Sequence, residues 1–245
     1  MKIFCASSGR CGTAFISEVF RKYTSIGENA FHEPDPRGIG RTMEEVNQNA
    51  ISSITKAVIT EKIRLIGKYE NYFESSQTFI KTFVWDILGS FDDVYCIYVE
   101  RNLIDIIFSY FKQSGDYKPK EWLLRPEWPR NIIKGIGCRK ELSWYELLLF
   151  NWFEVRERFL FFKSSFVKTF TLSFEELNDC SAWQNMFDHF GVEYKEPLVF
   201  DNLYKNGSTT NISCDEMLEK LRQTWSELSR TSGFYEDAKF LTGEI

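Results

Sequence analysis

The sequence predicts an α/β fold in which a central parallel β-sheet is covered by helices on both faces. Three observations lead there. Short apolar runs bounded by polar or turn residues recur near 2–6, 79–83, 94–99 and 166–172. The stretches between them carry helical periodicity, and strands alternating with helices imply crossover connections and a parallel sheet. A chain of 245 residues with 43% apolar content is long enough for one well-buried core and short for two, so 1–245 reads as a single domain.

Taken in order, Lys2–Ala6 is an apolar strand, Ser7–Thr13 a small-residue loop with one arginine, and Phe15, Ile16, Val19 and Phe20 mark one face of a helix. Phe31-His-Glu-Pro-Asp-Pro36 ends a presumed second strand, and Pro34 biases Glu33 to extended geometry. Residues 43–78 are polar and mixed, with a helix expected over Met43–Lys56. Phe79–Phe83 reads as a strand. Residues 94–99 form another, running directly into a helix that carries Ser109.

From Gln113 to Lys140 the pattern is broken by Pro119, Pro126, Pro129, Gly135 and Gly137. A loop of that length in a compact domain is usually functional, so 113–140 reads as a lid or acceptor-binding insertion, and equally as a surface excursion packed by Trp122 and Trp128. Leu142–Phe162 is a long apolar helix with Glu and Arg on one side. After the strand at 166–172, Ser173-Phe-Glu-Glu176 has the form of a capping box opening the next helix. His189 is placed at a helix C-terminus, where it meets the dipole. Ser213-Cys-Asp-Glu216 repeats the capping signature, and Met217, Leu218, Leu221, Trp225 and Leu228 line one face of a last helix.

Composition narrows the function. A formal net charge of −5 argues against nucleic acid as a bulk electrostatic partner, so a polyanionic ligand needs a local cluster, for which Arg10, Arg101 and Lys205 are the nominees. Aromatics at 17% suit a layered core and leave some for an acceptor pocket. No basic leader or apolar stretch of membrane length is visible, and a cytoplasmic location without a membrane span is expected. The six cysteines show neither a C-x-x-C pair nor a metal spacing with histidine, so no metal is expected, and Cys5 and Cys96 read as core residues. Asn206 and Asn211 fit the glycosylation pattern but are expected to stay unmodified.

Two segments are suited to anions. Arg101, at the carboxyl end of its strand, offers a planar, permanently charged fork, and Ser109 on the following helix adds a hydroxyl. The loop Ser8, Gly9, Arg10, Cys11, Gly12, Thr13, continuing into Ala14 and Phe15, exposes backbone N–H groups and the positive end of a helix dipole. Together they resemble the sulfotransferases that use 3′-phosphoadenosine 5′-phosphosulfate (PAPS). Arg10, Cys11, Gly12 and Thr13 fall on the Lys/Arg, Ser, Gly and Thr of the family's 5′-phosphosulfate loop. Arg101, Asn102, Asp105, Ser109 and Tyr110 match its 3′-phosphate motif in register.

The resemblance implies a P-loop NTPase-like sulfotransferase fold, PAPS as co-substrate, adenosine 3′,5′-bisphosphate as product, a hydroxylated acceptor and no required metal. It implies Arg10 beside the bridging oxygen, helped by the amides of Gly12 and Thr13. Ala14 replaces the usual second hydroxyl residue, and Phe15 stands where a Trp is frequent, its ring available to the adenine. Lys205 and Asn206 sit where many members fold a basic loop over the nucleotide. Lys81, in Phe79-Ile-Lys-Thr-Phe83, resembles the lysine of a Lys-Thr-His segment. It either contacts the sulfuryl group or merely ends a strand. Phe83 occupies the position of the catalytic histidine of the small-molecule branch and cannot accept a proton. Glu33 resembles the glutamate of a Glu-Pro pair in carbohydrate sulfotransferases and is the first candidate base, with His32 the second. That places the chain closer to the carbohydrate type. Two other readings stand beside a sulfotransferase: a small-molecule kinase, disfavoured because Gly-x-x-x-x-Gly-Lys-Ser/Thr is absent, and a nucleotide-binding module without chemistry. Oligomeric state and acceptor identity are open.

Overall fold

Five strands make one parallel sheet in the order β2-β3-β1-β4-β5, with β1 (Lys2–Ala6) at its centre, β3 (Tyr72–Ser75) and β4 (Val94–Glu100) beside it, and β2 (Ala30–His32) and β5 (Thr169–Ser173) at the edges. The computed structural model describes residues 1–114, 120–134 and 144–200. Every residue of β1 is buried, which is why it reads as a continuous apolar run and not as an alternating one.

Alternation along the strands sends side chains into two cores. Ile3, Cys5, Phe73, Ile97 and Val99 face one layer, packed by α1 (Thr13–Tyr23), α5 (Leu103–Ser114) and α7 (Cys180–Phe190). Phe4, Ala6, Tyr72, Cys96 and Tyr98 face the other, covered by α3 (Ser53–Gly67) and α4 (Val84–Leu88). The long helix α6 (Trp144–Phe162) serves both: Leu147, Leu148 and Phe150 enter the first core, Val155, Phe159 and Phe162 the second. Stacked rings are a large part of the filling, with Phe20 on Phe73 at 3.8 Å and Tyr98 on Phe159 at 4.6 Å. The cysteines expected in the core, Cys5 and Cys96, are fully buried there.

The local expectations met several corrections. Phe79–Phe83 is a π-helical turn leading into α4, not a strand. Five consecutive buried positions, three of them apolar, do not separate the two by periodicity. The strand of this region is Tyr72–Ser75, hidden in the sequence by Glu74 at its centre. That carboxylate is buried because Lys62 of α3 pairs with it at 2.8 Å and the Tyr72 hydroxyl donates to it at 2.6 Å. The helix expected over Met43–Lys56 is two helices, α2 (Arg41–Asn47) and α3, with Asn49 in left-handed geometry at φ 56° and Ser52 capping α3 through the Thr55 amide.

The Ser173 and Glu176 box forms as expected, the Glu176 carboxylate accepting from the Ser173 amide at 2.8 Å and Ser173 Oγ from the Glu176 amide at 3.2 Å. It opens only a 3-10 turn, Glu175–Asn178, and α7 starts beyond it with Asp179 as N-cap. His189 lies in the last turn of α7, where its Nε2 reaches the Thr169 carbonyl of β5 at 3.1 Å, so it ties helix to strand. The second capping signature at Ser213–Glu216 and the helix after it lie outside the described residues, as do the sequons at Asn206 and Asn211.

Candidate anion and transfer site

Because all strands are parallel, their carboxyl ends gather at one edge of the sheet, where ligands of open α/β sheets bind. The loop leaving β1 turns back sharply there, with positive φ at Gly9 (104°), Arg10 (58°) and Gly12 (74°). Gly12 caps α1 in left-handed geometry without a side-chain hydrogen bond, and the first turn of α1 has no acidic residue. The first-turn amides of a helix have no intrahelical acceptor, so this end presents donors and the positive end of the dipole. Gly9 is constrained from outside as well. A Cβ there would lie 2.6 Å from the Tyr110 hydroxyl and 2.7 Å from Gln77 Oε1.

Arg10 meets Arg101 and Ser109, which lie 91 and 99 residues further along the chain. Arg10 Nε donates to Ser109 Oγ at 3.0 Å, and Arg101 Nη1 donates to the Arg10 carbonyl. The Arg101 guanidinium lies 3.8 Å from the centre of the Phe174 ring, and its carbonyl accepts from Trp152 Nε1 at 3.0 Å. Its Nε is buried with no hydrogen-bond partner. Among the described residues no carboxylate pairs with either arginine. Two fixed positive charges and a hydroxyl at the end of β4, one N–H left unsatisfied, are the electrostatic requirement of an anion site.

The remaining loop residues divide by direction. Cys11 is buried, its thiol donating to the Gly9 carbonyl at 3.1 Å and lying 3.8 Å from Ser8 Oγ, and burial raises its pKa. It braces the turn from beneath. Ser8 is buried beside it, Thr13 is partly exposed and Ala14 exposed. Phe15 packs edge-on against Trp183 at 6.1 Å and Phe200 at 5.6 Å, and also lines a cleft of about 210 Å³ with Phe174, Leu177 and Asn178. Phe174, read in the sequence only as a landmark, is shared by this cleft and the Arg101 stack.

Lys81 sits under the loop. Its side chain is fully buried, and Nζ donates to the Ser8 carbonyl at 3.1 Å, Gln77 Oε1 at 2.8 Å and the Trp122 carbonyl at 3.0 Å. Burial pushes its pKa down to about 7, against an upward pull from Cys11 and Glu33, while Arg158 lowers it further.

His32 and Glu33 leave the end of β2, with β3 between them and the loop. His32 Nδ1 lies 3.0 Å from the Ser75 carbonyl and 3.3 Å from Ser75 Oγ; a carbonyl only accepts, so Nδ1 carries a proton, and in the neutral ring the lone pair is on Nε2. Glu33 is half-buried at φ 46°, left-handed and not extended as Pro34 suggested. Tertiary contacts overrule the local preference. Lys62 Nζ approaches the Pro34 carbonyl at 3.4 Å, Thr82 Oγ1 donates to the Gly38 carbonyl at 2.9 Å, and a Cβ on Gly38 would fall 2.3 Å from the Phe83 ring. No described residue hydrogen-bonds the Glu33 carboxylate. Phe83 is fully buried beneath this turn.

One group was missed from sequence. Arg158 and Glu154, on α6, point inward and are fully buried. Arg158 donates to Glu154 at 2.7 Å, to the Lys81 carbonyl at 2.8 Å, to Asn47 at 2.6 Å and to Asn131 at 3.0 Å, while Glu154 accepts from the amides of Ile132 and Ile133 at 2.8 and 2.9 Å. One turn earlier Asn151 exchanges two bonds with the Leu124 backbone at 2.8 and 2.9 Å. Residues 120–134 are thereby tied to α6 and to the turn that carries Lys81, with Leu124 and Trp128 buried. A charged pair four apart on an apolar helix was the available signal, since such a pair is either an outer-face bridge or a buried one. Lys205 and Asn206 lie outside the described residues. Among those described, no group of three His, Cys, Asp or Glu side chains could hold a metal ion, and no helix is long and apolar enough to cross a membrane.

No family model matches the chain, and no curated protein matches it. Among solved structures it is similar to a sulfotransferase from Alicyclobacillus acidocaldarius, at 16% identity over 98% of both chains with a TM-score of 0.47. It is also similar to the sulfotransferase domain from the curacin biosynthetic pathway, at 15% identity over 86% of this chain and 81% of that one, TM-score 0.43. Retinol dehydratase in complex with androsterone and inactive cofactor PAP matches at 13% identity over 98% of this chain and 69% of that one, TM-score 0.34. The functional reading rests on the residues of this chain.

Proposed function

We propose that this protein is a sulfotransferase that moves a sulfuryl group from PAPS to a hydroxyl of a carbohydrate or other hydroxylated metabolite. The observation that carries the reading is the convergence of Arg10, Arg101 and Ser109 beside an uncapped helix N-terminus, with Arg101 Nε buried and unsatisfied. A nucleotide carrying separate 3′-phosphate and 5′-phosphosulfate groups needs two anion subsites a few ångströms apart, and the strand end and the loop supply them. Arg101 and Ser109 take the 3′-phosphate; Arg10 and the amides of Gly12 and Thr13 take the phosphosulfate. Lys205 and Asn206 are assigned to the nucleotide on the family resemblance alone, and Phe15 with Phe174 to its base.

In the transfer, the acceptor oxygen forms a bond to sulfur as the bond from sulfur to the bridging oxygen breaks, and adenosine 3′,5′-bisphosphate departs. Positioning and charge stabilisation are most of the work in such group transfers. Arg10 faces the charge developing on the leaving oxygen, and the acceptor's proton goes to Glu33, which is half-buried and whose carboxylate no described residue hydrogen-bonds. His32 Nε2 is the competing acceptor, since its Nδ1 is fixed on Ser75. A non-catalytic nucleotide-binding protein is the second reading, favoured by the burial of Phe83 where the small-molecule branch keeps its histidine.

The experiment is incubation with labelled PAPS or labelled ATP across a panel of hydroxylated acceptors, alongside calorimetric titration with adenosine 3′,5′-bisphosphate. Sulfuryl transfer with tight bisphosphate binding is expected. Binding without transfer to any acceptor selects the second reading, and phosphoryl transfer from ATP overturns both.

A further inference from the structure

We propose that Lys81 is a positioning residue whose ammonium clasps the loop Ser7–Gly12 to residues 120–134, fixing the spacing between the nucleotide's anion site and the segment that faces it. The geometry is a three-way junction. Nζ reaches Ser8 in the loop, Trp122 in the 3-10 turn Lys120–Trp122, and Gln77 four residues back in the chain. The carbonyl of the same lysine is held by Arg158 at 2.8 Å and by Asn47 at 2.9 Å, so the backbone at Lys81 is anchored while its head group makes the join. The segment on the far side has its own ties to α6 through Asn151 and Glu154. Lys81 is the hydrogen-bonded link from this anchored assembly to the loop. A fully buried amine with no exit to solvent is suited to a strut and not to contact with a transferring group.

Donor count and burial act in opposite directions on the proton dependence of the clasp. An ammonium has three N–H donors for the three acceptors present; a neutral amine has two, and a lone pair that must face an oxygen. A bond lost at Ser8 or Trp122 would loosen an arm that spans segments. The titratable groups bearing on Lys81 are Cys11 from the loop, Arg158 from α6 and Glu33 from the turn after β2, and burial brings its titration to about pH 7. Burial outweighs the lost bond: opening the clasp returns the amine to solvent and to its ordinary value of about 10.4. Above pH 7 the open form therefore holds the extra proton, and rising pH favours the closed clasp.

The inference builds on the reading of Ser7–Thr13 as the nucleotide's loop only for its consequence in turnover, and it is tested without nucleotide. Amide hydrogen exchange of the full chain is followed by mass spectrometry from pH 6 to 8.5, corrected for the chemical rate. Protection of the peptides spanning residues 7–12 and 120–128 should rise by about tenfold or more across that range, since each pH unit above 7 favours the closed form by up to about tenfold, with α7 unchanged. In Lys81→Met the same two peptides should be deprotected at every pH. Protection that is flat or falls with pH in the parent overturns the proton-dependent clasp, and a Lys81→Met chain as protected as the parent at both peptides overturns the clasp itself. If Lys81→Met does not fold, the parent's pH series alone decides. Absence of transfer activity in the parent, with both exchange results as expected, would count against the proposed function and leave the clasp standing.

Discussion

At the scale of residues, the site is a set of charges with unequal satisfaction. Arg101 has one N–H in use on the loop carbonyl, a ring beneath it and a buried Nε with no partner. That pre-organisation makes its removal expensive for a bound phosphate. Arg101→Ala should weaken binding of adenosine 3′,5′-bisphosphate by about 2 kcal/mol or more, read by calorimetry, while binding of adenosine 5′-phosphate barely changes. Ser109→Ala should cost less, because the hydroxyl is uncharged and already engaged by Arg10. Equal losses for the two nucleotides would move the 3′-phosphate away from β4. For the base, Glu33→Gln keeps size and hydrogen bonding and removes proton acceptance. Turnover should fall roughly two to four orders of magnitude with bisphosphate affinity intact. His32→Asn should cost less, since it mainly loosens the tie to Ser75; the reverse ranking would assign the proton to His32 Nε2.

At the scale of elements, what was legible from sequence was whatever local pattern alone determines. Strands β1 and β4 were read closely, because their apolar runs end in polar loops, whereas the links from Ser109 and Arg101 to Arg10 come from a loop far away in sequence. Strand β3 was not legible: Glu74 is tolerated at its centre through Lys62, twelve residues earlier on α3, and the Tyr72 hydroxyl. Nor was the left-handed Glu33, which Lys62, Thr82 and Phe83 impose from other elements. The inward Arg158 and Glu154 looked like the polar side of α6 because sequence spacing does not say which way a charged stripe faces. Their burial has a measurable consequence. Removing one partner leaves an uncompensated buried charge, so Arg158→Leu or Glu154→Leu should each destabilise the fold by about 3–5 kcal/mol, and the double variant by less than either pair-breaking cost added twice. Urea unfolding of the three variants checks this; strictly additive losses would mean the two side chains act through separate partners.

At the scale of the whole molecule, the buried titratable groups set opposing pH dependences. Lys81 titrates near 7 in the fold and near its ordinary value of about 10.4 when unfolded. Between those limits the unfolded chain holds one more proton, so stability rises with pH by at most about 1.4 kcal/mol per unit. Cys5, Cys11 and Cys96 act the other way. Burial raises all three thiol pKa values, so above about pH 8.5 the unfolded chain loses protons that the folded chain keeps, and stability falls. Tyr72, Tyr98 and Tyr110, also raised by burial, join that decline above about pH 10. Three thiols outweigh one amine once they titrate, so unfolding free energy measured in urea under reducing conditions should climb from pH 7, peak near pH 8 to 8.5, and drop beyond. Lys81→Met removes the climbing limb and keeps the falling one. A parent curve that declines steadily from pH 7 would mean the amine stays charged throughout the range in the folded chain, and the three acceptors around it would then outweigh its burial.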